Sequence, residues 1–307
     1  MDTVHPVLES RLTAAGFACI AHWDTPREKL LVEISQATGI VIRSRITINR
    51  EFIDAATGLK FIARSGSGLE NIDVEYARSK GIVLFNSPEG NRDAVAEHVL
   101  AMLLTLFDKL NKADREVRQG MWDREGNRGI ELAGKTVAII GYGVMGSAVA
   151  ERLSGFRCRI LAHDKFKSGF GSSTVEESDL LRIFEEADIV SLHLPLTAET
   201  TGYVNAGFLN QFRKSIYLIN TARGKNVVTA DLVEAMKSGR VSGACLDVLE
   251  YEKASLEGLD ISAQPPPLQY LMSSPNTVLT PHVAGWTVES YEKLSAVLAE
   301  KILKWKG

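Results

Sequence analysis

The sequence predicts an α/β protein of two doubly wound, parallel-sheet domains, and three observations carry that prediction. Short runs rich in Val and Ile alternate with amphipathic helical stretches along nearly the whole chain, the pattern of parallel strands covered by helices on both faces. A glycine-rich turn, Gly141-Tyr142-Gly143-Val144-Met145-Gly146, lies between one such run and the helical stretch after it. The length, 307 residues, is about twice that of a typical domain.

The predicted strands are residues 39–42, 59–63, 81–85, 136–140, 159–162, 188–192, 216–220, 243–248 and 277–279. Helical patterning covers 27–37, 147–153, 230–236 and 288–303. After the strand 81–85 and the turn Asn86-Ser87-Pro88-Glu89-Gly90, a helical pattern opens near Asn91. Its apolar stripe runs through Val95, Val99, Met102, Leu103 and Leu106, and neither Pro nor Gly interrupts it before Gly120. A helix of about 25–30 residues is longer than a globular domain usually needs, so it is expected to link the two domains. The segment 256–276, with Pro265-Pro266-Pro267 and Pro275, reads as a long irregular loop. No internal repeat or low-complexity tract is visible.

Charge and composition exclude several functions. With 35 Lys+Arg against 38 Asp+Glu the formal net charge is −3, which provides no electrostatic footprint for nucleic acid or an anionic membrane. The longest apolar stretch, 99–107, is too short for a bilayer span, and residues 1–6 lack the basic and apolar regions of a secretory signal. The cysteines Cys19, Cys158 and Cys245 lie far apart with no C-x-x-C spacing. They read as buried free thiols of a cytoplasmic protein, with no metal site.

The glycine turn has the context of a dinucleotide fingerprint. It directly follows the strand 136–140 and opens the helix 147–153, and a second strand, 159–162, leads to Asp164. Gly141, Gly143 and Gly146 allow a tight turn and close approach of a pyrophosphate to a helix N-terminus, where the backbone N–H groups of Val144 and Met145 would meet it. Asp164 would accept hydrogen bonds from ribose hydroxyls. A carboxylate there repels a 2′-phosphate and favours NAD over NADP, although Lys165 and Lys167 follow closely.

An enzyme oxidising an alcohol with such a cofactor needs a base for the hydroxyl proton and a cation to orient the substrate. In open α/β sheets such groups lie beyond the carboxyl ends of strands. Three segments offer them: Asn220-Thr221-Ala222-Arg223-Gly224, Asp247-Val248-Leu249-Glu250-Tyr251-Glu252, and Thr280-Pro281-His282-Val283-Ala284-Gly285. By contrast His98 falls within an apolar helical pattern and reads as packed or solvated. His5, His22 and His163 have no converging partners in the sequence.

Taken in order, these segments resemble the NAD-dependent D-isomer-specific 2-hydroxyacid dehydrogenases. So do the stretches Arg64-Ser65-Gly66-Ser67-Gly68-Leu69-Glu70-Asn71-Ile72-Asp73, Asn86-Ser87-Pro88, Val95-Ala96-Glu97-His98 and His193-Leu194-Pro195-Leu196-Thr197. The resemblance implies a Rossmann NAD-binding domain, residues 91–284, inserted in a flavodoxin-like substrate domain formed by 1–90 plus 285–307. It implies Arg223 as the catalytic arginine, Glu252 as the acidic partner residue and His282 as the acid/base. It also implies that His193, Pro195, Thr197, Thr221, Ala222, Asp247 and Gly285 line the cofactor, and that the chain forms a homodimer. Physical chemistry agrees with the catalytic roles: an arginine fork can hold a substrate carboxylate, and a histidine oriented by a carboxylate can take the hydroxyl proton.

Substrate choice turns on the first domain. Ser65-Gly66-Ser67-Gly68 is a loop of small residues whose backbone N–H groups can grip a carboxylate, and it resembles the family's substrate loop. Arg43-Ser44-Arg45 resembles the phosphate-proximal arginines of the D-3-phosphoglycerate dehydrogenases within that family, which implies 3-phosphoglycerate. The alternative for this pair is a set of surface arginines bonded to Glu51 or Asp54. Glyoxylate, hydroxypyruvate or another small anionic 2-keto acid are the rival substrates, and an NAD-sensing corepressor is the rival of another class. Three departures from the family pattern stand out. Lys253 follows Glu252 where members usually have Pro, and the loop from there to His282 is long. The chain opens where members usually carry a preceding strand, and it stops after 288–303, so no regulatory domain is expected.

Overall fold

The computed structural model describes residues 1–252 and 265–305. The chain divides into two compact units, Met1–Arg92 with Trp286–Gly307, and Asp93–Gly285. In the first, the elements are α1 (Pro6–Ala14), α2 (Arg27–Glu33), β1 (Gly39–Ile42), α3 (Arg50–Ala55), β2 (Phe61–Arg64), α4 (Val74–Ser79) and β3 (Val83–Asn86). The second contains α5 (Arg92–Phe107, opening at the boundary), α6 (Leu110–Arg118), β4 (Thr136–Ile140), α7 (Val144–Leu153), β5 (Arg159–His163), β6 (Glu176–Glu177), α8 (Leu180–Glu186), β7 (Ile189–Leu192), α9 (Ala206–Leu209), β8 (Ile216–Asn220), α10 (Thr229–Lys237), β9 (Val241–Leu246), α11 (Pro266–Ser273) and β10 (Thr277–Leu279). The closing helix α12 (Val288–Lys304) belongs to the first unit.

The first unit is a three-stranded parallel sheet in the order β1-β2-β3. Alternate strand residues face opposite ways, and both faces are covered. Ile40, Ile42 and Ile62 pack with Leu30, Ile48, Phe52 and Ala77. Phe61 and Ala63 pack with Leu8, Leu12, Leu298 and Ile302, so the two ends of the sequence share one core. Asn49 and Asp73 cap α3 and α4 by accepting the N–H groups of Phe52 and Tyr76. Helix α12 starts with a reciprocal cap between Thr287 and Ser290. It is tied down by Lys301, which donates to Asn86 O at 2.9 Å and to Glu89 at 2.8 Å.

The second unit is a seven-stranded sheet in the order β10-β9-β8-β7-β4-β5-β6, with every described pairing parallel. Strand β4 lies inside it, with β5 on one side and β7 on the other, so the winding direction reverses between β4 and β7. The inner strands are buried on both faces. Ala138, Ile140, Leu161, Val190 and Leu218 face one core, and Val137, Ile139, Ile160, Ile189 and Ile219 face the other.

Three expectations fail here. The helix expected to run from 91 to about 118 breaks into α5 and α6. The buried stripe of α5 ends at Phe107, packed edge-on against Tyr217 at 4.7 Å. The Phe107 carbonyl accepts the Ile130 N–H, Lys109 turns left-handed at φ 51°, and α6 buries no residue at all. The expected loop 256–276 contains α11, because Pro266 stands at a first-turn position that needs no N–H and Leu268 and Leu271 bury its inner face. Lys253 and the rest of 253–264 lie outside the described residues. Cys245 is buried as expected and Cys158 partly so, but Cys19 is exposed; all three are free thiols. Among the described residues, no helix is long and apolar enough to cross a membrane.

The shared core of the chain ends can be tested by truncating Leu298, which is fully buried. Leu298→Ala is expected to cost about 2–5 kcal/mol in urea unfolding. Val288→Ala on the exposed side of the same helix is expected to change stability by less than about 0.5 kcal/mol.

Candidate active site

The parallel sheet of the second unit brings the carboxyl ends of its strands to one edge. The glycine turn follows β4, Asp164 follows β5, His193 follows the neighbouring β7, Arg223 follows β8, Asp247 follows β9 and His282 follows β10. Gly141, at φ 95°, sits against the end of β7: a Cβ there would lie 2.5 Å from the His193 carbonyl oxygen, and one on Gly146 would overlap the Gly141 carbonyl. A Cβ on Gly143 would meet nothing within 4 Å, so the mouth of the turn is open. Val144 and Met145 form the first turn of α7, where helix geometry leaves N–H groups without intrahelical partners. Asp164 braces this mouth. One carboxylate oxygen accepts the Tyr142 N–H at 2.8 Å, and the other accepts Phe166 N and Lys167 N at 2.9 and 3.1 Å. The two neighbouring lysines point elsewhere: Lys165 to Glu199, and Lys167 to the Tyr142 carbonyl at 3.1 Å.

His282 and Glu252 meet as a pair. His282 Nδ1 lies 2.7 Å from Glu252 Oε2, with side chains 24% and 15% exposed. Glu252 is held in turn by the Leu249 N–H, 2.5 Å from Oε1. Because a carboxylate accepts, Nδ1 carries the proton of this bond and Nε2 is left as the basic nitrogen. The backbone of His282 is left-handed, φ 56°, which a non-glycine residue adopts only when its surroundings hold it there. Asp247 is that holder. Its carboxylate accepts from the Thr280 hydroxyl at 2.6 Å, from Val283 N at 2.8 Å and from Ala284 N at 2.9 Å, while its own carbonyl accepts His282 N at 2.8 Å.

Two buried asparagines that sequence reasoning passed over shape the arginine loop. Asn220 Oδ1 accepts Ala222 N at 3.0 Å and its Nδ2 donates to Arg223 O at 2.9 Å. Asn226 Oδ1 accepts Arg223 N at 3.1 Å and its Nδ2 donates to Thr200 O at 3.0 Å, tying the loop to the 195–200 turn. In that turn Thr200 Oγ1 donates to Pro195 O at 2.6 Å and accepts from Thr197 N at 2.8 Å. Gly224 lets the arginine loop press on the glutamate turn, since any Cβ there would overlap the Leu249 carbonyl. Thr221 leaves a buried hydroxyl without a hydrogen-bond partner. The open glycine mouth, the Asp164 carboxylate and this orphaned hydroxyl on one edge fit a dinucleotide. Glu250, by contrast, caps α10 through the Thr229 N–H at 2.9 Å.

In the first unit, Ser65 is buried, Ser67 Oγ donates to Asn91 at 2.8 Å, and the Ser67 carbonyl accepts from Asn86 at 2.6 Å. Gly66 and Gly68 complete this loop after β2. The Arg43 guanidinium stacks on the Trp286 ring at 4.2 Å and donates to Thr3 O at 3.3 Å. Arg45 departs from the anion-binding expectation. Its donors go to the carbonyls of Met1, His22 and Thr25, within 3.2 Å, which is a structural clamp. Glu51 pairs with Arg27 and Asp54 with Lys80. His98, expected to be merely packed or solvated, lies 3.0 Å from the Thr280 hydroxyl.

Residues 100–284 match the family model described as D-isomer specific 2-hydroxyacid dehydrogenase, NAD binding domain. That is more than half of the chain. The chain belongs to the D-isomer specific 2-hydroxyacid dehydrogenase family. It is 37% identical to a D-3-phosphoglycerate dehydrogenase of Archaeoglobus fulgidus over 279 residues, covering 90% of this chain and 51% of that one. It is 36% identical to a glyoxylate reductase of Thermofilum pendens over 289 residues, covering 92% and 82%. The chain thus spans about half the length of the phosphoglycerate dehydrogenase it matches. Among solved structures, D-lactate dehydrogenase from Aquifex aeolicus, complexed with NAD and lactic acid, superposes with a TM-score of 0.83 at 28% identity, over 97% of this chain and 91% of that one. In this family member the dinucleotide turn, the arginine loop and the His–Glu pair all arise from one sheet edge.

His193 supplies a pH test of that edge. Its Nε2 lies 2.9 Å from Ser191 Oγ, and burial pulls its imidazole down to about 4. A histidine kept neutral by folding costs nothing above the unfolded pKa, and stability falls once the unfolded chain can take a proton the native one refuses. Stability should therefore drop by about 2 kcal/mol between pH 7.5 and pH 5 through this residue. His193→Asn should flatten that part of the profile, as read by urea unfolding without cofactor.

Proposed function

We propose that this chain is an NAD-dependent oxidoreductase that moves a hydride between C2 of a D-2-hydroxy acid and the nicotinamide, with 3-phosphoglycerate as its substrate. The observation that carries the reading is the 2.7 Å His282–Glu252 pair on the same sheet edge as the dinucleotide turn. NAD, when bound, takes or returns the hydride. Val144, Met145 and Asp164 would hold its pyrophosphate and ribose, with His193, Pro195, Thr197, Thr221, Ala222, Asp247 and Gly285 towards its nicotinamide end. Because Lys165 and Lys167 are engaged away from Asp164, the carboxylate would act on a ribose without a 2′-phosphate.

Arg223 would grip the substrate carboxylate with its fork and polarise the oxygen on C2. His282 Nε2 would take the hydroxyl proton as the hydride leaves and return it in the reverse direction. Glu252 would keep the imidazole oriented and stabilise its cation. The first unit would contribute the N–H groups of Ser65, Gly66, Ser67 and Gly68, with Arg43 for the phosphate. Relatives of both the phosphoglycerate and the glyoxylate kind match at nearly equal identity, so a small 2-keto acid such as glyoxylate or hydroxypyruvate is the second reading.

The test is a panel assay: NADH formation from D-2-hydroxy acids including 3-phosphoglycerate, and NADH consumption with glyoxylate and hydroxypyruvate. His282→Asn is expected to lower kcat by about 10²–10⁴-fold with NAD affinity retained. Arg43→Ala is expected to raise KM for 3-phosphoglycerate about tenfold and leave that for glyoxylate unchanged. No turnover of any acid despite clear NAD binding would overturn the enzyme reading, and an unchanged KM would remove the phosphate from it.

We also propose that the chain is a homodimer built through the segment after α5. Helix α6 buries nothing, and Leu110, Val117, Met121 and Trp122 are exposed, Trp122 at 81%. Several large exposed apolar side chains within one short segment support an interface there. Sedimentation should give twice the chain mass for the wild type and the single-chain mass for Val117→Glu; a monomeric wild type at micromolar concentration would refute it.

A further inference from the structure

We propose that His98 is a positioning residue for the acid/base histidine, acting through Thr280 and the Asp247 carboxylate on the turn that carries His282. The proposal rests on the reading of His282 given above. His98 projects from α5, the helix that also brings Met102 Sδ to the Thr280 hydroxyl. The spacing of Val95, Val99 and Met102, all buried on that helix, carries its half-buried imidazole to the end of β10.

Hydrogen-bond directions are fixed by what each group can do. Asp247 is 1% exposed at its side chain, and its carboxylate can only accept. The Thr280 hydroxyl has a single proton, committed to Asp247 Oδ1 at 2.6 Å. Its oxygen must then accept from His98 Nε2 at 3.0 Å, which places a proton on that nitrogen. The chain of bonds runs from His98 Nε2–H to the Thr280 hydroxyl to Asp247, with His98 Nε2 itself 3.6 Å from the same carboxylate oxygen. The other group near the hydroxyl is Met102 Sδ at 3.8 Å, a weak acceptor that pulls the proton the wrong way.

The far end of these bonds is the strained turn. Asp247 holds Thr280, Val283 and Ala284 through its side chain and His282 through its carbonyl, bracketing the residue at φ 56°. Glu252 fixes how the imidazole ring is turned, and the bonds from His98 fix where the backbone beneath it stands. Without the donor on Nε2, the Thr280 hydroxyl loses the partner that keeps its proton on Asp247. The carboxylate then has one ordered bond fewer with which to pin the turn.

The experiment compares His98→Leu, His98→Gln and Thr280→Val in the full chain by two readouts. One is amide hydrogen exchange at Val283 and Ala284, and the other is kcat and KM on the best substrate of the panel. His98→Leu and Thr280→Val should each speed exchange at those two amides about tenfold, with β4 and β8 unchanged. Each should lower kcat about tenfold with KM for the acid unchanged. His98→Gln, whose amide can donate from a similar place, should recover most of both losses. Wild-type exchange and kcat in His98→Leu and Thr280→Val would overturn the proposal, as would a Gln variant no better than Leu. A general loss of protection with kcat per folded molecule unchanged would also overturn it, leaving His98 a purely structural residue. If His98→Leu does not fold, Thr280→Val and His98→Gln decide the matter. If the wild type turns over no acid, the functional reading fails, and the exchange readout still decides whether His98 governs the turn.

Discussion

Parallel pairing across the seven strands of the second unit is the constraint on which the site depends. It forces each crossover to return across one face or the other of the sheet, so that every strand delivers its last residue to the same edge. Residues remote in the sequence, from Gly141 to His282, are thereby delivered to that edge. The reversal between β4 and β7 then opens the sheet edge at one place, against which Gly141 and the His193 carbonyl are packed. A crevice at such a reversal is where open α/β sheets take their ligands.

Along that edge the chain's irregular backbone is held by buried polar side chains, not by secondary structure. Asn220, Asn226 and Asp247 are all buried, and between them they satisfy the N–H and carbonyl groups of the arginine loop and the histidine turn. Each such group would be costly if left unpaired, so the arrangement is rigid as long as the network is complete. Preorganisation of this kind keeps reacting groups in place without reorganisation at the moment of reaction.

How much of this was legible in the sequence depended on whether the signal was local. Strands β1, β4, β8 and β10 carry their ends in their own Val and Ile runs, and the expected boundaries coincide with the observed ones. The two-residue strand β6 has no apolar run to mark it, because it pairs at the sheet edge through Glu176 and Glu177. The break at Lys109 and the helix at Pro266 were missed for opposite reasons. A helical pattern continued past the point where burial stopped, and a proline cluster hid a helix that starts on proline. Within the site, Arg223, Glu252 and His282 stood in recognisable segments, whereas Asn220, Asn226 and Thr280 act through partners that only the fold supplies. His98 shows the same limit, since an apolar helical setting says nothing of the hydroxyl packed against it. Arg45 shows the converse: a cation at a strand end looked like an anion site, and its donors turned out to be spent on main-chain carbonyls.

The placement of α12 bears on how the protein is made. The sheet of the first unit comes from the beginning of the chain, yet Leu298 and Ile302 fill the core beneath it. During synthesis that face of β1 to β3 has only α1 against it until α12 has left the ribosome. The second unit, contiguous in sequence, can close first. The leading unit's core can thus be completed only after its successor has been made, the reverse of the usual order in which the leading domain folds first.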